Sequence, residues 1–201
     1  MLRGDGILLL DGLKNNKYRF NEQFFIKQPL PKKHSKVNLD MVQNFILSFY
    51  KEDNRIKDGR YWYLNQYHNI NFHQHIGWLS EFTRDHWLGE FGSTPVLTNK
   101  FPIKALIQQK GESIHTHNHI DEYNLPDSPD ISVLFTVSHS NLKDPVYVVF
   151  EYENVRHKHC RWKVPLETGN FIMFSSNLNH HFTKNTNDDL LINLQFNYQL
   201  I

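Results

Sequence analysis

The chain of 201 residues has one cysteine, Cys160. An intrachain disulfide framework is excluded, and so is a zinc site built on cysteines. An excess of charge is also missing: 22 Lys and Arg stand against 21 Asp and Glu, a formal +1. No whole-chain field draws in nucleic acid or an anionic membrane. Long apolar runs are absent. Ile7-Leu8-Leu9-Leu10, between Asp5 and Asp11, falls far short of the roughly 20 residues that span a bilayer and of a secretion signal's apolar stretch. The expectation is a soluble protein in a reducing, cytoplasmic setting. No internal repeat or low-complexity tract breaks the chain.

What is present is aromatic and histidine-rich. Aromatics make up 14% of the residues, which argues for a folded globule, and there are 13 histidines. The chain reads as one domain in two textures. Residues 1–95 are helical or irregular. Phe24-Phe25-Ile26 suggests a strand, Pro29 and Pro31 interrupt regular structure, and the basic run 32–36 reads as a solvated loop. Met41, Val42, Phe45, Ile46, Phe49 and Tyr50 recur at helical spacing after a cap at Asn38, so a helix is expected over 39–51. A second is expected over 75–89. The aromatics of both, and Tyr61-Trp62-Tyr63, read as core.

From residue 96 short strands dominate: 103–109, 131–138, 146–152, 162–166, 171–174 and 190–201. In the last, Ile192, Leu194, Phe196, Tyr198 and Leu200 alternate with Asn193, Gln195, Asn197 and Gln199. The expected fold is mainly β with flanking helices: a jelly roll whose two helices cover one sheet. The apolar side of the last strand then faces the helices, and its polar side faces the interior.

The chemistry concentrates in Gly111-Glu-Ser-Ile-His115-Thr-His117-Asn-His119-Ile-Asp121. His115, His117, His119 and Asp121 sit at every second position, so a regular strand turns all four to one face. Two imidazoles there can hold one ion, and His180-His181 offers a third ligand from far along the chain. Three ligands on one face leave open positions. Histidine with a carboxylate favours Fe(II); three histidines also suit Zn(II). The remaining histidines of His157-x-His159 and His139 read as loop residues. Cys160 reads as an inert thiol, and Glu122, Asp127 and Asp130 as solvated acids.

The last hundred residues resemble the double-stranded β-helix of the non-haem Fe(II), 2-oxoglutarate-dependent oxygenases, and within them the small hydroxylases of phage and marine bacteria. Those carry a Gly, five residues, then His-x-Asp or His-x-His, as Gly111 and His117-x-His119 do here. They end with a glycine-led strand into Phe-Pro-Ser-x-Leu-x-His, which Phe174-Ser-Ser-Asn-Leu-Asn-His180 matches. The resemblance implies iron held by His117, His119 and His180, with Asp121 or His115 as rivals in the first pair. It implies 2-oxoglutarate and O₂ as co-substrates and hydroxylation as the reaction. Two departures stand out. About seven extra residues, around Tyr123 to Pro129, follow the first pair. The arginine that such families aim at the distal carboxylate of 2-oxoglutarate is replaced by Leu191. A buried carboxylate needs a cation, for which Lys184, Arg161, Lys163 and Lys104 are candidates. Asn193 and Gln195 could add neutral hydrogen bonds. Glycine, His-x-His and the distal histidine also resemble the two motifs of cupin-type metal enzymes that use no 2-oxoglutarate. A β-sandwich binding protein remains a further alternative. Exposed sheet edges make a homodimer an expectation.

Overall fold

The structure, a computed structural model, describes residues 7–9, 17–20, 23–29, 36–53, 67–69, 74–91, 95–98, 103–138, 144–153 and 158–200. The basic residues 32–35, the aromatic stretch 61–63, His139 and His157 lie outside the described residues. No described helix is long and apolar enough to cross a membrane.

Three strands open the chain: β1 (Ile7–Leu9), β2 (Lys17–Phe20) and β3 (Gln23–Pro29). Helix α1 runs over Lys36–Asp53, then β4 over Tyr67–Asn69 and α2 over Gln74–Phe91. The remainder is β5 (Pro95–Leu97), β6 (Ile103–Gln108), β7 (Ile114–His117), β8 (Ile131–Ser138), β9 (Tyr147–Glu153), β10 (His159–Pro165), β11 (Asn170–Ser175), β12 (Asn179–Phe182) and β13 (Leu191–Leu200). Two sheets result. One has the order β2-β3-β11-β8-β13-β6-β4, with β5 also on β13; the other has the order β1-β10-β9-β12-β7. From β6 onward the strands pass from one sheet to the other, except that β9 and β10 form a hairpin within the smaller sheet, the jelly-roll arrangement expected.

Two apolar layers follow from the alternation in the strands. On the outer face of the larger sheet, Ile192, Leu194, Phe196 and Tyr198 of β13 pack with Val42 and Ile46 of α1 and Ile76 and Leu79 of α2. The helices cover this sheet as expected, because their apolar stripes need a partner face. Between the sheets, Leu106, Leu134, Ile172, Phe174 and Leu191 meet Ile114, Val148, Phe150, Trp162 and Phe182. Asn193, Gln195 and Asn197 are buried on this inner side. Asn193 Oδ1 accepts from Thr136 Oγ1 at 2.8 Å.

Several boundaries differ from the sequence reading. α1 starts at Lys36, so Asn38 lies within its first turn. α2 runs through Gly89 to Phe91. β10 begins at His159, which pairs with Glu153, so His159 is a strand residue rather than a loop one. The start of β10 is fixed by its partner strand, which a single-chain pattern does not contain.

Candidate metal centre

β7 and β12 are adjacent antiparallel strands in which His117 stands directly opposite His180. The turn before β7 is set by Gly111, whose φ of +90° suits a residue without a side chain. Gly111 N–H donates to Asn185 O at 2.7 Å, and Asn185 N–H donates to Glu112 O at 2.8 Å. The buried Asn185 side chain also donates to Gln108 O at 3.0 Å. The loop beyond β12 is thereby latched to the end of β6, and the two histidine strands keep their register.

The regular strand expected through 111–121 stops at His117. Asn118 ends it: its Oδ1 accepts the N–H of Ile120 at 3.1 Å, and its Nδ2 donates to Asn179 Oδ1 at 3.2 Å. Such a side-chain turn competes with the strand ladder. His119 N–H is taken up by Ser176 O at 2.9 Å. The bend carries the His119 ring inward. One ring nitrogen from each of His117, His119 and His180 lies within 4.8 Å of the others. Ring centroids are 4.4 Å apart for His117 and His180, and 4.9 Å for His119 and His180. His115 is exposed and lies outside the trio, with its carbonyl on His117 Nδ1; Asp121 lines the neighbouring cavity, also outside the trio.

Each ring is held through Nδ1. His117 Nδ1 meets His115 O at 2.8 Å, and His180 Nδ1 meets Leu178 O at 2.9 Å. Carbonyls accept only, so both nitrogens donate and Nε2 carries the lone pair. His119 Nδ1 meets Ser132 Oγ, and its Nε2 is buried with no hydrogen-bond partner. A buried nitrogen left bare among two other imidazoles fits a cation. Burial holds all three rings toward the neutral, ligating form. It pushes His180 down to about 3, with His117 nearby adding to the effect. It pushes His119 well below the usual histidine value and lowers His117 as well. Three neutral nitrogen donors suit a first-row divalent metal.

A cavity of about 560 Å³ opens beside the trio. His117, His119 and Asp121 line it, with Lys104, Gln195 and Asn197 from the larger sheet and Asp127, Ser128 and Pro129 from the extra loop. The loop therefore walls the site, and Tyr123 at its start is fully exposed. Asp127, read as a solvated acid, lies at the cavity rim. Lys104 pairs with Gln195 across β6 and β13, and burial lowers its pKa.

Other expected residues fall elsewhere. Lys184 is exposed and packs near Gly111, outside the cavity lining. Arg161 Nε pairs with Glu151 at 3.1 Å on the exposed side of the smaller sheet. Lys163 Nζ sits 3.9 Å from the ring centre of Tyr147. Asn193 is buried in the interior, and its Nδ2 has no hydrogen-bond partner. Leu191 is fully buried among the apolar residues between the sheets. His181 lies half-buried with Nδ1 3.9 Å from Glu151 Oε1, on the face away from the trio, as strand alternation predicts. Cys160 is buried. The sequence reading missed Ser132 and Ser176, because lone serines give no signal until the fold brings them together.

The sequence matches no protein-family model and no curated relative. Solved structures do match. The non-heme alpha-ketoglutarate-dependent carbocyclase SnoK of nogalamycin biosynthesis superposes with a TM-score of 0.62 at 11% identity, over 87% of this chain and 78% of that one. A prolyl hydroxylase from Trichoplax adhaerens, solved with a hypoxia inducible factor peptide, gives 0.59 at 15% identity, over 87% and 83%. The non-heme monooxygenase ThoJ, solved with nickel, gives 0.58 at 12% identity, over 88% and 73%. The chain shares the jelly-roll fold of these three enzymes.

Proposed function

We propose that this protein is an Fe(II)- and 2-oxoglutarate-dependent dioxygenase that hydroxylates an unidentified substrate. The observation that carries the reading is the convergence of His117, His119 and His180, two of which line the cavity beside them, in the fold these oxygenases share. In the proposal, the three Nε2 atoms hold iron. The bound metal would supply the oxidising chemistry with O₂, while 2-oxoglutarate provides two electrons and leaves as succinate and CO₂.

The chain's own part is binding and positioning. Three imidazoles bring no negative charge, so the full charge of a divalent ion remains to attract an anionic co-substrate. A dicarboxylate entering the cavity meets Lys104 and the Gln195 amide, side by side on neighbouring strands. Lys104 is thus the cation that compensates for Leu191. Asn193 and Lys184 are not placed to share this task, since neither lines the cavity. Asp127, Ser128 and Pro129 of the extra loop form one wall. The reading takes the chain as one domain acting in the cytoplasm, with size-exclusion chromatography as the check on dimerisation.

A cupin-type enzyme that uses no 2-oxoglutarate is the second reading, favoured by the all-histidine donor set and by Leu191. Succinate release from 2-oxoglutarate, in the presence of Fe(II) and ascorbate, decides between them. Metal-dependent succinate formation supports the first reading. Tight metal binding without any turnover of 2-oxoglutarate supports the second.

A further inference from the structure

Ser132 is fully buried at the start of β8, directly opposite Asn197 of β13. Its hydroxyl oxygen meets three polar atoms: His119 Nδ1, Ser176 Oγ at 2.8 Å and Asn197 Oδ1 at 3.0 Å. A hydroxyl has one proton to give and an amide oxygen can only accept. The Ser132 proton therefore goes to Asn197 Oδ1, which also accepts from Gln195 Nε2 at 3.2 Å. Ser132 Oγ must then accept from its two other neighbours. His119 Nδ1 carries a hydrogen, and the lone pair of that ring is left on Nε2, the atom buried without a partner.

The other two histidines of the trio reach the same state by a simpler route. Each donates Nδ1–H to the carbonyl two residues before it, His115 or Leu178. His119 lies beyond the end of β7 and takes its acceptor from a side chain of the other sheet instead.

We propose that Ser132, held by Asn197, is a positioning residue that locks His119 as its Nδ1–H tautomer and aims the bare Nε2 at the metal. This rests on the metal part of the reading above, and not on 2-oxoglutarate or on any reaction. The relay ends in the cavity wall, because Asn197 and Gln195 both line it. The Asn197 amide thus orients a metal ligand from behind and lines the cavity in front.

The test has two arms. Long-range ¹⁵N–¹H correlation of the imidazoles in the metal-free parent protein reads the tautomer directly. His119 is expected as the Nδ1–H form; an Nε2–H form overturns the proposal. Cobalt(II) titration, followed by its visible bands, then compares the parent with S132A, S132T and S176A. S132A is expected to bind about 10- to 100-fold more weakly and to lose the single-tautomer signal. S132T keeps the acceptor and is expected to restore both, and S176A removes only a donor and is expected to leave the tautomer intact. Parent-like cobalt affinity in a folded S132A overturns the proposal. Should S132A not fold, the parent's tautomer still decides. A parent that binds no cobalt at all overturns the metal reading itself, so the two failures are told apart.

Discussion

His117 and His180 are cross-strand partners, paired in register between β7 and β12 with ring centroids 4.4 Å apart. Residues far apart in the chain become direct neighbours on one sheet. Cross-strand neighbours on one face have side chains close enough to share a small ligand. The site is thus built into the hydrogen-bonding register of the sheet.

Removing the distal member of that pair should abolish tight binding. H180A is expected to lower divalent-metal affinity by more than about 100-fold, since two imidazoles and water replace a three-point site. H181A, altering a ring on the opposite face, is expected to bind like the parent. Isothermal titration with Co(II) or Fe(II) under anaerobic conditions checks both.

The buried histidines also set an acid limit. The folded His180 is held down to about 3, and His119 and His117 are lowered too, chiefly by burial. In the unfolded chain a histidine titrates near ~6.5. Between those limits the unfolded state binds more protons, so stability rises with pH. Metal-free protein should therefore hold its full stability above about pH 6.5 and lose it progressively on acidification toward pH 3. Urea unfolding across pH 4–8 measures this, and replacing His180 with a neutral residue should flatten the slope.

Lys104 carries the prediction about the co-substrate. K104M is expected to raise the KM for 2-oxoglutarate by about 10-fold or more, the size of a lost charge-assisted hydrogen bond. K184M is expected to leave it unchanged. Steady-state succinate assays over a range of 2-oxoglutarate concentrations compare the two.

The helix layer can be tested apart from the site. Phe196 is fully buried against α1 and α2 on the face of β13 away from the cavity. F196A is expected to cost about 3–5 kcal/mol of stability. Folded F196A should still bind metal like the parent. Denaturant unfolding and cobalt titration on one preparation report both.

Much of this architecture was legible in the sequence, and the parts that were not share a cause. The alternation in β13 announced a strand with an apolar and a polar side, and the structure puts helices on the first and the cavity on the second. The glycine at 111 and the Phe174–His180 stretch pointed to the three histidines that converge. The strand period was misleading at one place. It carried one strand face on to Asp121, whereas the Asn118 turn ends β7 after His117, turns His119 inward and leaves Asp121 outside the trio; His115, on β7 itself, is exposed. The choice among four cations needed the sheet pairing, because only register places Lys104 beside Gln195. Ser132, Ser176 and Asn197 form their relay across three strands or strand ends, and no local pattern records such a meeting.

The most direct measurement is a crystal structure of the protein loaded anaerobically with Fe(II), read by anomalous scattering at the iron edge. The account predicts one ion bonded to Nε2 of His117, His119 and His180, at roughly 2.0–2.2 Å as is usual for imidazole on a divalent first-row metal, with its open side toward Lys104. An ion bound away from His180, or no ordered ion in the cavity at saturating iron, would contradict it.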